Sequence, residues 1–258
     1  MSRTIAVANQ KGGVGKTTTS INLAAALAIE GQSVLLVDID PQANATSGLG
    51  VDPKSLTRTI YNALINNDNI NSVVVETGVQ GLSLVPSNSH LAGAEVELVA
   101  VEDRARRLRA VLNGMDQKYD TILLDCPPAL GFLTINALAA AHSVLVPVQC
   151  EYYAMEGLGR LMESIERIRE SVNPNLEIEG ILLTMYDARN SLARQVTDQI
   201  RSHFAGKVYD TVIPRNVTLA EAPSYGRPVL LYNVASSGAQ AYLSLAKEFA
   251  IHGEKSAR

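Results

Sequence analysis

The chain has 258 residues, 47% of them hydrophobic and only 5% aromatic, with no Trp and a formal net charge of -4. That length suits one large α/β domain or two small ones, with a core of Ala, Val, Leu and Ile such as parallel strands covered by helices require. The acidic balance excludes a general polycation, so any nucleic-acid binding has to come from a local patch or from patches pooled by assembly.

Short apolar runs alternate with longer helical patterns. TIAVAN (4–9), SVLLVD (33–38), LSLVPS (82–87), DTILLD (120–125), SVLVPV (143–148), EGILLTMY (179–186) and VYDTVI (208–213) read as strands. They are β-branched or Leu-rich and mostly apolar without strict alternation, as strands covered on both faces should be. Helices are predicted over 17–30, 101–114, 151–171, 188–204 and 237–251. The first places Ile21, Ala24, Ala25 and Ala28 on one face and stops at Gly31, a residue suited to the left-handed turn after a helix. The second directs Val101, Leu108, Val111 and Leu112 to the core. Residues 40–60 and 66–80 are the loosest segments. The repetition implies right-handed crossovers and a doubly wound, mostly parallel twisted sheet with helices on both faces, in a single domain over 1–258.

The opening MSRTIAVANQ reads as a strand entering a loop rather than a signal peptide, because its apolar run is short and no small-residue cleavage site follows. No apolar run reaches the ~18 residues of a membrane span. A soluble, cytoplasmic protein is expected. Cys126 and Cys150 lie in apolar runs and read as buried hydrophobes. The four histidines have no metal-binding spacing, so no zinc site is expected.

The strand TIAVAN runs through QKGGVGKTT directly into a helix, the context a phosphate loop requires. Gly12, Gly13 and Gly15 allow a tight fold whose N–H groups converge on phosphate oxygens, with Val14 between them, and the helix start adds its dipole. Lys16 neutralises the β- and γ-phosphates, the Thr17 hydroxyl is placed for Mg²⁺, and Thr18 reaches the α-phosphate. Gln10 stands where the usual pattern has its first glycine, so the strict motif fails and K-G-G-V-G-K-T-T stands instead.

KGGVGKTT resembles the deviant Walker A motif of the ParA/MinD group of P-loop ATPases. VLLVDIDPQANATSGLG (34–50) is similar to the second motif of the ParA branch, and ILLDCPP (122–128) to its Walker B strand. EYYAMEGLGRL (151–161), GILLTMYDARNSLARQV (180–196) and IPRNVTLAEAPSYGRPV (213–229) resemble chromosomal ParA proteins, also called Soj. The resemblance covers nearly the whole chain. It implies ATP and Mg²⁺ as cofactors, and slow, partner-stimulated hydrolysis of ATP. It also implies that Lys11, the extra lysine, reaches across a homodimer interface to the partner's phosphates.

Asp38, Asp40 and Asp125 fall at strand C-termini, where open α/β sheets bind ligands. Asp125 fits the holding of Mg²⁺, through water. By resemblance Asp40 positions or activates the attacking water, and Asp38 either helps hold Mg²⁺ or orients its loop. Pro214 and Asn216 in IPRN fall where the family approaches the adenine ring. The same stretch fits a helix start with a Thr218–Glu221 capping box, and both can hold.

The resemblance further implies non-specific double-stranded DNA binding by the ATP dimer. Over residues 187–227, basic residues outnumber acidic ones by two. Arg189 lies in a matching block, with Arg227 and Lys247 as further candidates. Thr218 departs from the basic residue that relatives often carry there. The resemblance implies a ParB-type centromere-binding partner that stimulates hydrolysis, a nucleoid-associated location, and movement of chromosome origins or plasmids. No extra N-terminal DNA-reading domain is present in the sequence, so repression at a specific operator is not expected. A MinD-like membrane-recruited regulator is the alternative. It calls for an amphipathic C-terminal helix, whereas LAKEFAIHGEKSAR is expected to break at Gly253 and turn polar. A reductase like nitrogenase iron protein needs cluster-holding cysteines that Cys126 and Cys150 do not match. A metabolic P-loop ligase is the remaining class.

Overall fold

The computed structural model describes residues 2–116 and 119–256, with side chains as far as Ile251 at the C-terminal end. The strands among them are β1 (Arg3–Val7), β2 (Val34–Asp38), β3 (Val75–Glu76), β4 (Leu82–Val85), β5 (Thr121–Asp125), β6 (Ser143–Gln149), β7 (Glu177–Tyr186) and β8 (Val208–Pro214). They form one sheet in the order β3-β4-β2-β5-β1-β6-β7-β8. Every pairing is parallel except that of β3, which runs antiparallel to β4 at one edge. The doubly wound, mostly parallel α/β class expected from the alternating runs is therefore what the chain adopts.

Side-chain alternation assigns the two faces of the sheet. Ala6, Leu35, Val37, Ile122, Leu124, Ile181 and Leu183 feed one core. Ile5, Val7, Leu36, Leu123 and Leu182 feed the other. The helices are α1 (Lys16–Ile29), α2 (Asn44–Gly48), α3 (Ile60–Ile65), α4 (Leu91–Glu97), α5 (Arg107–Asn113), α6 (Phe132–Ala140), α7 (Ala154–Ser171), α8 (Ser191–His203), α9 (Val217–Glu221), α10 (Val229–Tyr232) and α11 (Ser237–Ser256). Helices α3 to α8 supply the first core. The second is filled mainly by α1 and α11, through Ile21, Leu23, Tyr242, Leu245 and Phe249.

Several elements depart from expectation. Helix α1 is buried around its circumference from Thr19 to Ala28, not along one stripe, because α2, α10 and α11 cover the side away from the sheet. Gly31 does take the left-handed turn after it, at φ +94°. The helix expected over 101–114 is cut short: Asp103 adopts φ +52°, Val101 is extended, and α5 begins only at Arg107. The segment 40–60 contains α2, and 66–80 contains a 3-10 turn and β3. Helix α11 does not break at Gly253; its backbone stays helical to Ser256.

The register places the loops that matter. Asp125 on β5 pairs with Val7 on β1 on one side and with Asp38 on β2 on the other. Three strands thus end level, and their following loops leave side by side at the C-terminal edge. Strand order reverses direction about β1, and such a switch point opens a crevice for ligands.

Candidate nucleotide site

The loop after β1 is anchored at both shoulders. Asn9 Nδ2 donates to Pro147 O at 2.8 Å, and its Oδ1 accepts from Lys11 N at 2.9 Å. At the far shoulder Thr184 Oγ1 donates to Val14 O at 2.8 Å. Gly15, the residue before α1, sits at φ +87°, a conformation a Cβ would strain. Helix α1 has no side-chain cap at its N-terminus, so its first N–H groups face into the loop and favour an anion.

The two lysines of the loop occupy different surroundings. Lys16 is buried, and its Nζ donates to Lys11 O at 3.1 Å. Burial lowers its pKa, partly offset by the charges of Asp125 and Asp40. Lys11 is half exposed, and its amine is ion-paired with Glu151, just beyond β6. Tyr152 and Tyr153 follow, both exposed and packed edge to face at 5.0 Å between centroids.

The carboxylates differ as well. Asp125 is fully buried. Its Oδ1 accepts from Ser20 Oγ at 2.8 Å, while Oδ2 has no hydrogen-bond partner among the described residues. Burial and the neighbouring Asp38 push its pKa up, against the pull of Ser20 and Thr17. A buried carboxylate with an orphaned oxygen beside the Thr17 hydroxyl is the donor set a hard divalent cation takes. Asp38 is committed to its own loop: Oδ2 accepts from Thr46 N at 2.8 Å and Thr46 Oγ1 at 2.7 Å, and Oδ1 from Asp40 N at 3.1 Å. Burial raises its pKa too. Of the two roles open to Asp38, this geometry favours orienting the loop. Asp40 is nearly buried; Oδ1 accepts from Gln42 N at 2.9 Å, leaving Oδ2 without a protein donor among the described residues, and its carbonyl accepts from Ser87 Oγ at 2.8 Å.

Beside the loop a cavity of about 190 Å³ is lined by Gly15, Thr18, Thr184, Met185, Pro214 and Asn216, among others. The structure thus brings Pro214 and Asn216 to the phosphate loop from the far end of the sequence. Asn216 is engaged: its Oδ1 accepts from Leu219 N at 3.2 Å and its Nδ2 donates to Ser237 Oγ at 2.9 Å. It is Asn216 that caps α9, not a Thr218–Glu221 capping box.

The DNA candidates sit on separate elements. Arg189, in the turn after β7, is exposed but donates two hydrogen bonds to Asp187, at 3.0 and 2.9 Å. Those bonds hold Asp187 down to about 2. Arg227 lies exposed before α10, and Lys247 exposed on α11. No hydrogen bond or ion pair joins the three among the described residues. Sequence reasoning missed the supports of the site: Asn9, Ser20, Thr46, Ser87, Glu151 and Thr184. Only Ser20 carried a signal, since it falls one helical turn after Lys16.

No described helix is long and apolar enough to cross a membrane. A family model described as an AAA domain matches residues 2–178. The sporulation initiation inhibitor protein Soj of Bacillus subtilis is 52% identical over 253 residues, covering 98% of this chain and all of that protein. The chromosome partitioning protein ParA of Caulobacter vibrioides is 52% identical over 248 residues, 95% of this chain and 93% of that one. Among solved structures, one described as cobyrinic acid a,c-diamide synthase of Mycobacterium smegmatis, with bound ADP and magnesium, is 38% identical. It superposes at a TM-score of 0.87, covering all of this chain and 97% of that one. With identity of this order running the full length, and an anion-binding loop set against a buried carboxylate, the chain belongs to the ParA/Soj family of chromosome-partitioning P-loop ATPases, with ATP and Mg²⁺ as cofactors.

Proposed function

We propose that the ATP-bound protein is a face-to-face homodimer that binds double-stranded DNA non-specifically. A ParB-type centromere-binding partner stimulates its slow hydrolysis and so releases it, which moves chromosome origins or plasmids across the nucleoid. The observation that carries this reading is the division between the two loop lysines. Lys16 is buried within its own loop, whereas Lys11 turns outward to Glu151 beside two exposed tyrosines. A cation on the outer rim serves charge that arrives from outside, and two opposed loops supply it reciprocally.

In this reading the backbone of Gly12, Gly13, Val14 and Gly15 cradles the triphosphate, Lys16 neutralises its end, and Thr18 reaches the α-phosphate. Thr17 and Asp125 hold Mg²⁺, which when bound offsets phosphate charge, while Asp38 shapes the loop that carries Asp40. Asp40 orients the water. Pro214 and the capped turn at Asn216 border the base. Phosphoryl transfer of this kind needs in-line placement and charge neutralisation more than covalent help.

Light scattering after gel filtration tests the reading. With Mg²⁺ and a non-hydrolysable ATP analogue the chain of 27.6 kDa is expected to double in mass, and Lys11→Ala to stay single. A wild-type protein that remains monomeric at high concentration overturns the proposal. The solved relative described as a diamide synthase suggests a second measurement. Phosphate release by the purified chain with no organic acid or amine present is expected here, whereas a ligase requires those acceptors. Sedimentation with liposomes separates the MinD-like alternative, for which binding to vesicles is required.

A further inference from the structure

Thr184 stands near the end of β7, 2% exposed, and touches the phosphate loop from the side opposite the carboxylates. Its Oγ1 donates to Val14 O at 2.8 Å, and its Cγ2 lies 3.8 Å from where a Cβ on Gly15 would sit. The peptide between Val14 and Gly15 is planar and trans, so its C=O and N–H point in opposite directions. Fixing the Val14 carbonyl toward β7 therefore aims the Gly15 N–H away from β7, into the loop. The next residue, Met185, takes φ +49°, uncommon for a non-glycine residue. The ladder to β8 shifts register between Leu183 and Tyr186. Strand β7 is thus kinked where Thr184 meets the loop, and Thr184 and Met185 together line the cavity beside it.

We propose that Thr184 is a positioning residue of the ATPase: its hydroxyl locks the Val14–Gly15 peptide so that the Gly15 N–H is already aimed at a bound phosphate. This rests on the reading of residues 11–18 as the phosphate loop. An N–H that needs no reorientation on binding is worth more than one that must turn, since ordering costs are met during folding.

The test compares Thr184→Val, which keeps the shape and loses the hydroxyl, with Thr184→Ser, which keeps the hydroxyl. Affinity for Mg-ATP, Mg-ADP and adenosine is measured by calorimetry. Thr184→Val is expected to weaken ATP and ADP by about tenfold with adenosine unchanged, and Thr184→Ser to retain wild-type affinity for all three. Should the valine variant fail to fold, Thr184→Ala admits water to the freed carbonyl and is read the same way. Equal loss for adenosine and ATP, or no loss for ATP, overturns the proposal. Lys16→Ala separates the two levels. If it binds ATP normally, the phosphate-loop reading itself fails. If it loses ATP while Thr184→Val does not, only the role of Thr184 falls.

Discussion

Lys11 and Lys16 belong to one loop but answer to different physics. Lys16 has lost most of its hydration and is held by a backbone carbonyl, so its charge is available to any anion that enters. Lys11 keeps half its exposure and leans on Glu151. An exposed pair of that kind is worth at most about 1 kcal/mol, so Glu151 is a weak competitor for Lys11. Glu151→Gln removes the competitor, and the concentration for half-maximal ATP-dependent dimerisation is expected to fall by about two- to fivefold, read by analytical ultracentrifugation. Asp40 makes the complementary case. Its carboxylate makes no ion pair among the described residues and accepts only from Gln42 N in its own turn, although its charge is felt at Lys16. Asp40→Ala is expected to bind ATP and dimerise normally while phosphate release drops at least a hundredfold, on the order of a general-base loss. Near-normal release would remove Asp40 from the reaction. Cys126 is wholly buried behind Asp125, and burial and that carboxylate push its thiol well above the usual range. It is expected to resist alkylation at pH 8 in the native protein and to react at once in urea.

At the scale of elements, legibility followed burial. Of the seven strands read from the sequence, β1, β2, β5 and β6 are apolar and buried almost throughout, whereas β8, at an edge, is only partly buried and was readable from its β-branched and aromatic run. Strand β3, two residues long at an edge, offers no such signal. Helices α2, α9 and α10 are one turn or little more, too short for a hydrophobic period to register. Helix α6 was missed for another reason. Its start has neither Ser, Thr, Asp nor Asn as a cap; Gly131 precedes it and the cap comes from far away. Glu95 on α4 accepts from Phe132 N at 2.7 Å and Leu133 N at 3.1 Å. A side chain on Gly131 would collide with that carboxylate. The loop between Asp125 and α6 is thereby tied to α4 by a bond no local pattern encodes. Likewise the Thr218–Glu221 pattern was locally sound, but the helix starts two residues earlier: Asn216 caps it by accepting from Leu219 N, its amide donates to Ser237 on α11, and Thr218 already lies inside α9. The phosphate loop was legible because its function is local in sequence; supports such as Thr184 and Glu151 were not, since they act across long separations. Glu95→Ala is expected to cost about 1 kcal/mol and lower Tm by about 2–4 °C, with Gly131→Ala acting in the same direction through the displaced carboxylate. Scanning calorimetry checks both.

For the molecule as a whole, net charge of -4 means a polyanion is repelled except where a patch overrides it. Arg189 is almost fully exposed, yet its guanidinium is paired with Asp187. Asp187 is held at about 2, so it stays ionised at any working pH. Acidification therefore does not free Arg189; a competing phosphate has to displace the carboxylate, and a single weak contact gains little by doing so. In the proposed ATP dimer, pairing two protomers would double the contacts and turn two poor sites into a useful one. On this account Asp187→Asn is expected to strengthen DNA binding of the ATP-bound form. Arg189→Glu is expected to weaken it and to flatten the dependence of log K on log salt by about 0.9 for each lost phosphate contact, or about 1.8 per dimer. Fluorescence anisotropy with a random-sequence duplex across a salt series reads both. If Arg189→Glu changes neither affinity nor slope, Arg189 serves only to close the turn with Asp187, and the DNA surface lies on other elements.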